Sequence, residues 1–147
     1  MPRIFRQELI VSADAIDEFR HVNNQRYIAW MQEVATAHSA ANGWPMERYL
    51  GIGSAWVVRS HFVEYLRPAF AGDALDIDTW ASSLALREVT RKYRFRRADQ
   101  LLARAETKWV YVDIKSGRPK RIPEELLASF VAVPDDDPEL AAAKQEY

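Results

Sequence analysis

Two hydrophobic periods divide the chain. From Gln25 to Asn42 the apolar and ring side chains fall at Tyr27, Trp30, Met31, Val34, His38 and Ala41. Steps of three and four put them on one face of a helix of about five turns. Asn23 or Asn24 can cap its start, and Gly43 before Trp44-Pro45 ends it. Further on the period becomes two. Trp56, Val58, Phe62 and Leu66 are set against Arg59, His61 and Tyr65 until Pro68 interrupts. Leu75, Ile77, Thr79 and Ala81 alternate with Asp76, Asp78 and Trp80, and Val89, Tyr93 and Phe95 with Thr90, Lys92, Arg94 and Arg96. A last run, Leu101 to Val112, sets Ala103, Ala105, Thr107, Trp109 and Tyr111 against Arg104, Glu106 and Lys108. Four such runs joined by short polar connections predict an antiparallel meander, with turns at Asp99-Gln100 and Ser116-Gly117.

The remaining segments are shorter. Ile4, Ile10 and Val11 mark a first strand over residues 3–11, and Ser12 to Asn24 reads as an ordered polar loop. Met46 to Gly53 is expected to be a connector with two glycines, and Pro123 to Phe130 a short helix or strand. Asp135-Asp136-Asp137 opens a tail expected to be solvated, with a helical turn around Leu140 to Lys144. The domain is therefore placed at 1–133 and the tail at 134–147. One helix has one apolar stripe, and only a curved sheet offers a surface large enough to cover it. The expectation is an α+β domain whose antiparallel sheet of about five strands wraps one long central helix. A long edge strand, Trp56 to Leu66 or Leu101 to Val112, invites a second copy, so a homodimer or homotetramer is expected.

Composition narrows the function. At 147 residues with 48% hydrophobic and 28% charged side chains, the chain fits one folded domain. A net charge of −1 gives no footprint for nucleic acid. The absence of cysteine excludes disulfides, thiol catalysis and thiolate metal sites. The N-terminal residues lack a signal-peptide core, and no apolar run approaches the roughly 20 residues of a membrane span. A cytoplasmic protein with no membrane partner is expected.

Chemistry concentrates in Asp17-Glu18-Phe19-Arg20-His21-Val22-Asn23-Asn24-Gln25-Arg26-Tyr27, directly before the helix. A helix start exposes unpaired N–H groups and favours negative charge. A carboxylate and an imidazole beside such donors are the ingredients of general-base catalysis and oxyanion stabilisation, which points to acyl chemistry. Taken singly, these residues also suit structure: an Asp before a helix is commonly a turn residue, and paired Asn residues are ordinary caps. His38 and His61 read as structural. Asp17 and His21 stand four apart with no further ligand nearby, so no metal is expected.

Asp17 lies ten residues ahead of Tyr27, and Tyr65-Leu66-Arg67-Pro68-Ala69-Phe70-Ala71-Gly72-Asp73 links two strands. On these features the chain resembles the hot-dog-fold acyl-CoA thioesterases, the 4-hydroxybenzoyl-CoA thioesterase group, over roughly residues 3–131. His21-Val22-Asn23-Asn24 with Tyr27 is similar to the branch of bacterial long-chain acyl-CoA and plant acyl-carrier-protein thioesterases. The resemblance implies that Asp17 is the catalytic carboxylate, acting as base or nucleophile, and that His21 is its companion. Two positions depart from the pattern. Phe19 replaces an Asn of the plant enzymes, and Arg20 replaces a Gly of the hydroxybenzoyl branch, which argues against carrying over aromatic specificity.

The implied activity is hydrolysis of an acyl-CoA, with coenzyme A as part of the substrate and no separate cofactor. Val22, Asn23 and Asn24 would meet the thioester through backbone N–H groups or ordered water, and Tyr27 would pack beside it. The run Arg87, Arg91, Lys92, Arg94, Arg96, Arg97 reads first as a solvated sheet edge. Its alternative role is to attract coenzyme A phosphates, together with Arg59 and Arg67. A carrier-protein thioesterase and a non-catalytic acyl-binding module are the competing readings.

Overall fold

A computed structural model describes residues 3–141. Strand β1 (Phe5–Ile10) leads through a single 3-10 turn at Ala13–Ala15 to helix α1 (Asn24–Ala41) and a short helix α2 (Met46–Gly51). Strands β2 (Ser54–Tyr65), β3 (Ala74–Leu84), β4 (Glu88–Arg97) and β5 (Gln100–Asp113) follow, then short helices α3 (Glu124–Ala128) and α4 (Pro138–Ala141). The five strands form one antiparallel sheet in the order β1-β3-β4-β5-β2.

The helix obeys its periodicity. Tyr27, Trp30, Met31, Val34, Ala35 and His38 are buried, and they meet Leu75, Ile77, Tyr93, Phe95, Ala103 and Ala105 from the inner face of the sheet. At about 1.5–3 kcal/mol for each large apolar side chain, this stripe is what fastens helix to sheet. The side chain of Asn23 caps the start by accepting from the Gln25 N–H at 2.9 Å. Gly43, at φ +91°, ends it: its N–H donates to Ala40 and that of Trp44 to Ser39, the paired bonds of a Schellman stop.

Several expectations need correction or narrowing. The Met46–Gly53 connector contains α2, because Tyr49 is buried against Trp44 with ring centroids 5.3 Å apart. Of the two alternatives for segment 123–130, the helix is the one observed, over Glu124–Ala128. In β2 the register slips between Val58 and Ser60, so the strand changes phase at Arg59. His61, Val63 and Tyr65 therefore turn inward opposite Thr107, Ala105 and Ala103, while Phe62 faces outward and is 55% exposed. Strand β5 is flanked by β4 and β2, which leaves only β1 and β2 as edges.

The described part of the tail is anchored to the sheet at Asp137 and Leu140, while Asp135 and Asp136 stay exposed as expected. Val133 and Leu140 are buried against Trp80 on the outer face of the sheet. Arg3 holds Asp137 at 2.7 Å and Lys92 holds Asp135 at 2.7 Å, so paired charge explains how an acidic run lies on the protein. The helical turn spans Pro138–Ala141, and the rest of the predicted turn lies outside the described residues.

The basic strand is not an edge either. β4 is central, and its arginines are distributed over both faces. Arg94 and Arg96 meet the wholly buried Asp78 on the outer face, at 3.3 and 3.0 Å. Arg97 pairs with Asp73 at 2.8 Å, and Arg91 points into the core.

Candidate active site

Residues 16–22 form a tight hairpin. Ile16 pairs with Val22, the Asp17 N–H donates to the His21 carbonyl at 3.0 Å, and the Arg20 N–H donates back to Asp17 at 3.0 Å. Arg20 occupies the left-handed region at φ +69°. That is the conformation a three-residue hairpin needs at its last position and one that favours glycine. The Gly expected at this position in related sequences is thus explained by backbone geometry, and Arg20 adopts the same conformation against its preference.

The Asp17 carboxylate is half-buried and accepts from the Phe19 N–H at 2.8 Å. One oxygen therefore serves the turn that holds the residue in place. His21 stacks on Phe19 with centroids 6.2 Å apart, and its Nδ1 lies 3.4 Å from the Val22 carbonyl. The aromatic residue at position 19 thus supports the imidazole, a role the sequence did not disclose.

The helix start is fixed from two sides. The Val22 N–H donates to Ala69 at 2.8 Å and the Asn23 N–H to Ala15 at 2.9 Å. Gln25 and Arg26 donate to the side chain and carbonyl of Asn23. These bonds occupy two of the three N–H groups expected to face a substrate. Among the described residues, the Asn24 N–H is the donor of this turn left without an acceptor. Ala69 is fully buried under the helix start, and the Asp73 carboxylate holds its loop by accepting from the Phe70 N–H at 2.8 Å. The Pro68–Asp73 link is therefore the brace of the turn that opens the helix. Tyr65 donates to the Asn24 carbonyl at 3.2 Å and packs edge-on against Tyr27 at 5.2 Å. Burial, with Tyr65 adding to it, pushes the Tyr27 hydroxyl up to about 12, so Tyr27 stays neutral and packs.

Arg59 lies elsewhere. Its exposed side chain pairs with Glu88 at 3.0 Å, beside the start of β4, whereas the helix start adjoins Tyr65 at the other end of β2. Arg67 is exposed in the brace segment. His61 meets Thr107 at 2.8 Å, and burial lowers its pKa. His38 is buried under the helix.

Asp17 lines neither of two cavities in the described residues. One, of about 270 Å³, lies between the second half of α1, α2, α3 and the inner face of the sheet. The other, of about 640 Å³, lies on the outer face between Phe62, Trp80, Arg104 and Leu140. Asp17 and Asn24 lie outside both of these cavities.

Residues 11–130 match the thioesterase-like superfamily. The chain belongs to that family. Acyl-CoA thioester hydrolase YbgC of Escherichia coli is 27% identical over 128 residues, 86% of this chain and 96% of that one. The fold is shared with 1,4-dihydroxy-2-naphthoyl-CoA thioesterase from Synechocystis, with a TM-score of 0.79, 19% identity, and 86% and 94% of the two chains covered. It is also shared with a Staphylococcus aureus protein solved in complex with CoA, with a TM-score of 0.81, 14% identity, and 86% and 80% covered. The expected hot-dog fold is the one observed, and the family match spans both quoted segments. Its members share the scaffold in which Asp17, His21 and Asn24 are set. Among the described residues, no helix is long and apolar enough to cross a membrane.

Proposed function

We propose that the protein is an acyl-CoA thioester hydrolase in which Asp17 acts as general base or nucleophile. The observation that carries this reading is the hairpin beside the helix start: it fixes Asp17 next to a turn with one unoccupied N–H, that of Asn24. The thioester oxygen sits at this N–H and gains charge there as the carbonyl carbon is attacked. In the general-base route Asp17 takes a proton from water, the hydroxide oxygen bonds to carbon, and the carbon–sulfur bond breaks. The thiolate of coenzyme A then collects the proton, and the free acid is released. In the nucleophilic route a carboxylate oxygen forms an anhydride that water opens, with the same products. His21 orients the water or steadies Asp17, and Tyr27 closes the apolar side. Val22 and Asn23 shape the turn, since their own N–H groups are committed to it.

Asp17 lies outside the two cavities described above, and the reading includes a homo-oligomer in which a second copy completes the cleft. The edge of β2, with outward-facing Val57 and Phe62, is the surface for it. Arg67 is the candidate for coenzyme A phosphates because it is exposed two residues beyond Tyr65, which bonds to the helix start. The pairing of Arg94, Arg96 and Arg97 with carboxylates weakens the carrier-protein alternative, which relied on a free basic strand. A cytoplasmic location and coenzyme A as the sole cofactor-like group complete the proposal.

Thiol release from a panel of acyl-CoAs, repeated with the same acyl groups on carrier protein, tests it. Turnover of coenzyme A thioesters above the carrier-protein forms is the expected result. Binding without release from any thioester leaves a non-catalytic module, and a preference for carrier protein replaces the substrate class.

A further inference from the structure

The cavity beneath the second half of α1 is mostly apolar, and its lining holds a single charged side chain. Trp44, Trp56, Trp109, Leu126 and Phe130 supply much of its wall, and Arg91 is set among them, 6% exposed. The guanidinium Nη1 donates to His38 Nδ1 at 2.8 Å and to Thr79 Oγ1 at 3.1 Å, and its carbon lies 5.8 Å from the Phe130 ring centre. All three partners are neutral. Burial, followed by the charge on Arg91, lowers the His38 pKa to about 3, so His38 accepts through Nδ1 and cannot balance the guanidinium. No carboxylate reaches Arg91 among the described residues, and Nε and Nη2 hold no protein partner. These two nitrogens are also absent from the enclosed unpartnered atoms, unlike His38 Nε2.

An uncompensated cation in an apolar wall is costly, and folded proteins pair such a charge or use it. The Nε–Nη2 edge of a guanidinium matches the two oxygens of a carboxylate. From Asn24 to Ala35 is about 16 Å along the helix at 1.5 Å per residue, so a group reaching the cavity within one chain is extended.

We propose that this cavity receives the far end of the acyl group, and that Arg91 binds a terminal carboxylate there. The preferred substrates are then mono-thioesters of dicarboxylic acids. The proposal rests on the acyl-CoA hydrolase reading for its reaction, but not for its binding site. Kinetics with paired acyl-CoAs of increasing length, one ending in methyl and one in carboxylate, test it together with Arg91→Met and Arg91→Lys. The wild type should favour the carboxylate-ended member by about tenfold or more in kcat/KM at one length at least. Arg91→Met should favour the methyl-ended member, and Arg91→Lys should retain part of the original preference. Titrating wild-type Trp fluorescence with free dicarboxylic acids and their dimethyl esters reads the same site without a variant and without turnover. Tighter binding of the diacid supports the site even if no thioester is cleaved. Equal binding of diacid and diester overturns it, as does a preference for the carboxylate that survives Arg91→Met. A preference for hydroxyl-ended over carboxylate-ended chains overturns it too.

Discussion

The two faces of β4 treat buried positive charge in opposite ways. On the outer face Asp78, wholly buried, is shared by Arg6 at 2.9 Å, Arg94 at 3.3 Å and Arg96 at 3.0 Å. Each guanidinium finds an anion, and Asp78 raises the Arg6 pKa further. On the inner face Arg91 finds only His38, Thr79 and an aromatic ring, and burial lowers its pKa. Both arrangements bury polar groups under apolar neighbours, yet only on the outer face does a carboxylate meet the guanidinium groups. The outer cluster fastens β1 to the sheet and explains itself as structure. The inner one leaves a cation facing a cavity, which is how a binding site differs from a brace.

The contrast predicts unequal costs of substitution. Asp78→Ala leaves Arg94 and Arg96 together, with side chains 13% and 12% exposed and no shared anion. Denaturant unfolding should show a loss of about 3–5 kcal/mol, and a loss below about 1 kcal/mol would mean that the cluster is not held together by its carboxylate. A smaller effect belongs to the inner face. As pH falls through 6.5 the unfolded chain protonates His38, whereas the folded chain resists down to about 3. The unfolded state then binds more protons, so stability falls with decreasing pH across that window, by about 1.4 kcal/mol per unit from this group. His38→Gln, which keeps an acceptor but does not titrate, should flatten that part of the pH–stability curve. An identical slope in the variant would remove His38 from the account. The smallest effect is expected for Arg91→Met, which should change stability by less than about 1 kcal/mol or raise it, because a buried charge gives way to an apolar chain. A loss of several kcal/mol would show that the inner cation is a brace like the outer ones.

The same contrast marks what could be read from the sequence. Helix α1, its caps and the phases of β3, β4 and β5 were legible, since each keeps its period through the middle of the element and the register shifts at Ala81/Ser83 and Phe95/Arg96 lie toward strand ends. The phase of β2 was not, because the slip at Arg59 reverses the alternation without any signal in residue type. The anchoring of the acidic tail was not legible, because its partners, Arg3 and Lys92, are distant in sequence. At the candidate site, Asp17 and the helix start were visible as a local cluster. The occupation of the Val22 and Asn23 N–H groups by Ala69 and Ala15 depends on tertiary contacts. So does the pairing of Arg91 with His38, 53 residues away, which made a buried cation look like part of a surface charge run.

The claim on which the functional account turns is that the Asp17 carboxylate does the chemistry at the helix start. Its most direct test is the rate of thiol release by Asp17→Asn at saturating acyl-CoA, with substrate binding measured on the same sample. The amide keeps the oxygen that accepts from the Phe19 N–H but neither takes a proton from water nor attacks the carbonyl. Turnover should fall by about a hundredfold or more with binding nearly unchanged. Release within about threefold of the wild-type rate would contradict the assignment, because general-base or nucleophilic work contributes far more than that.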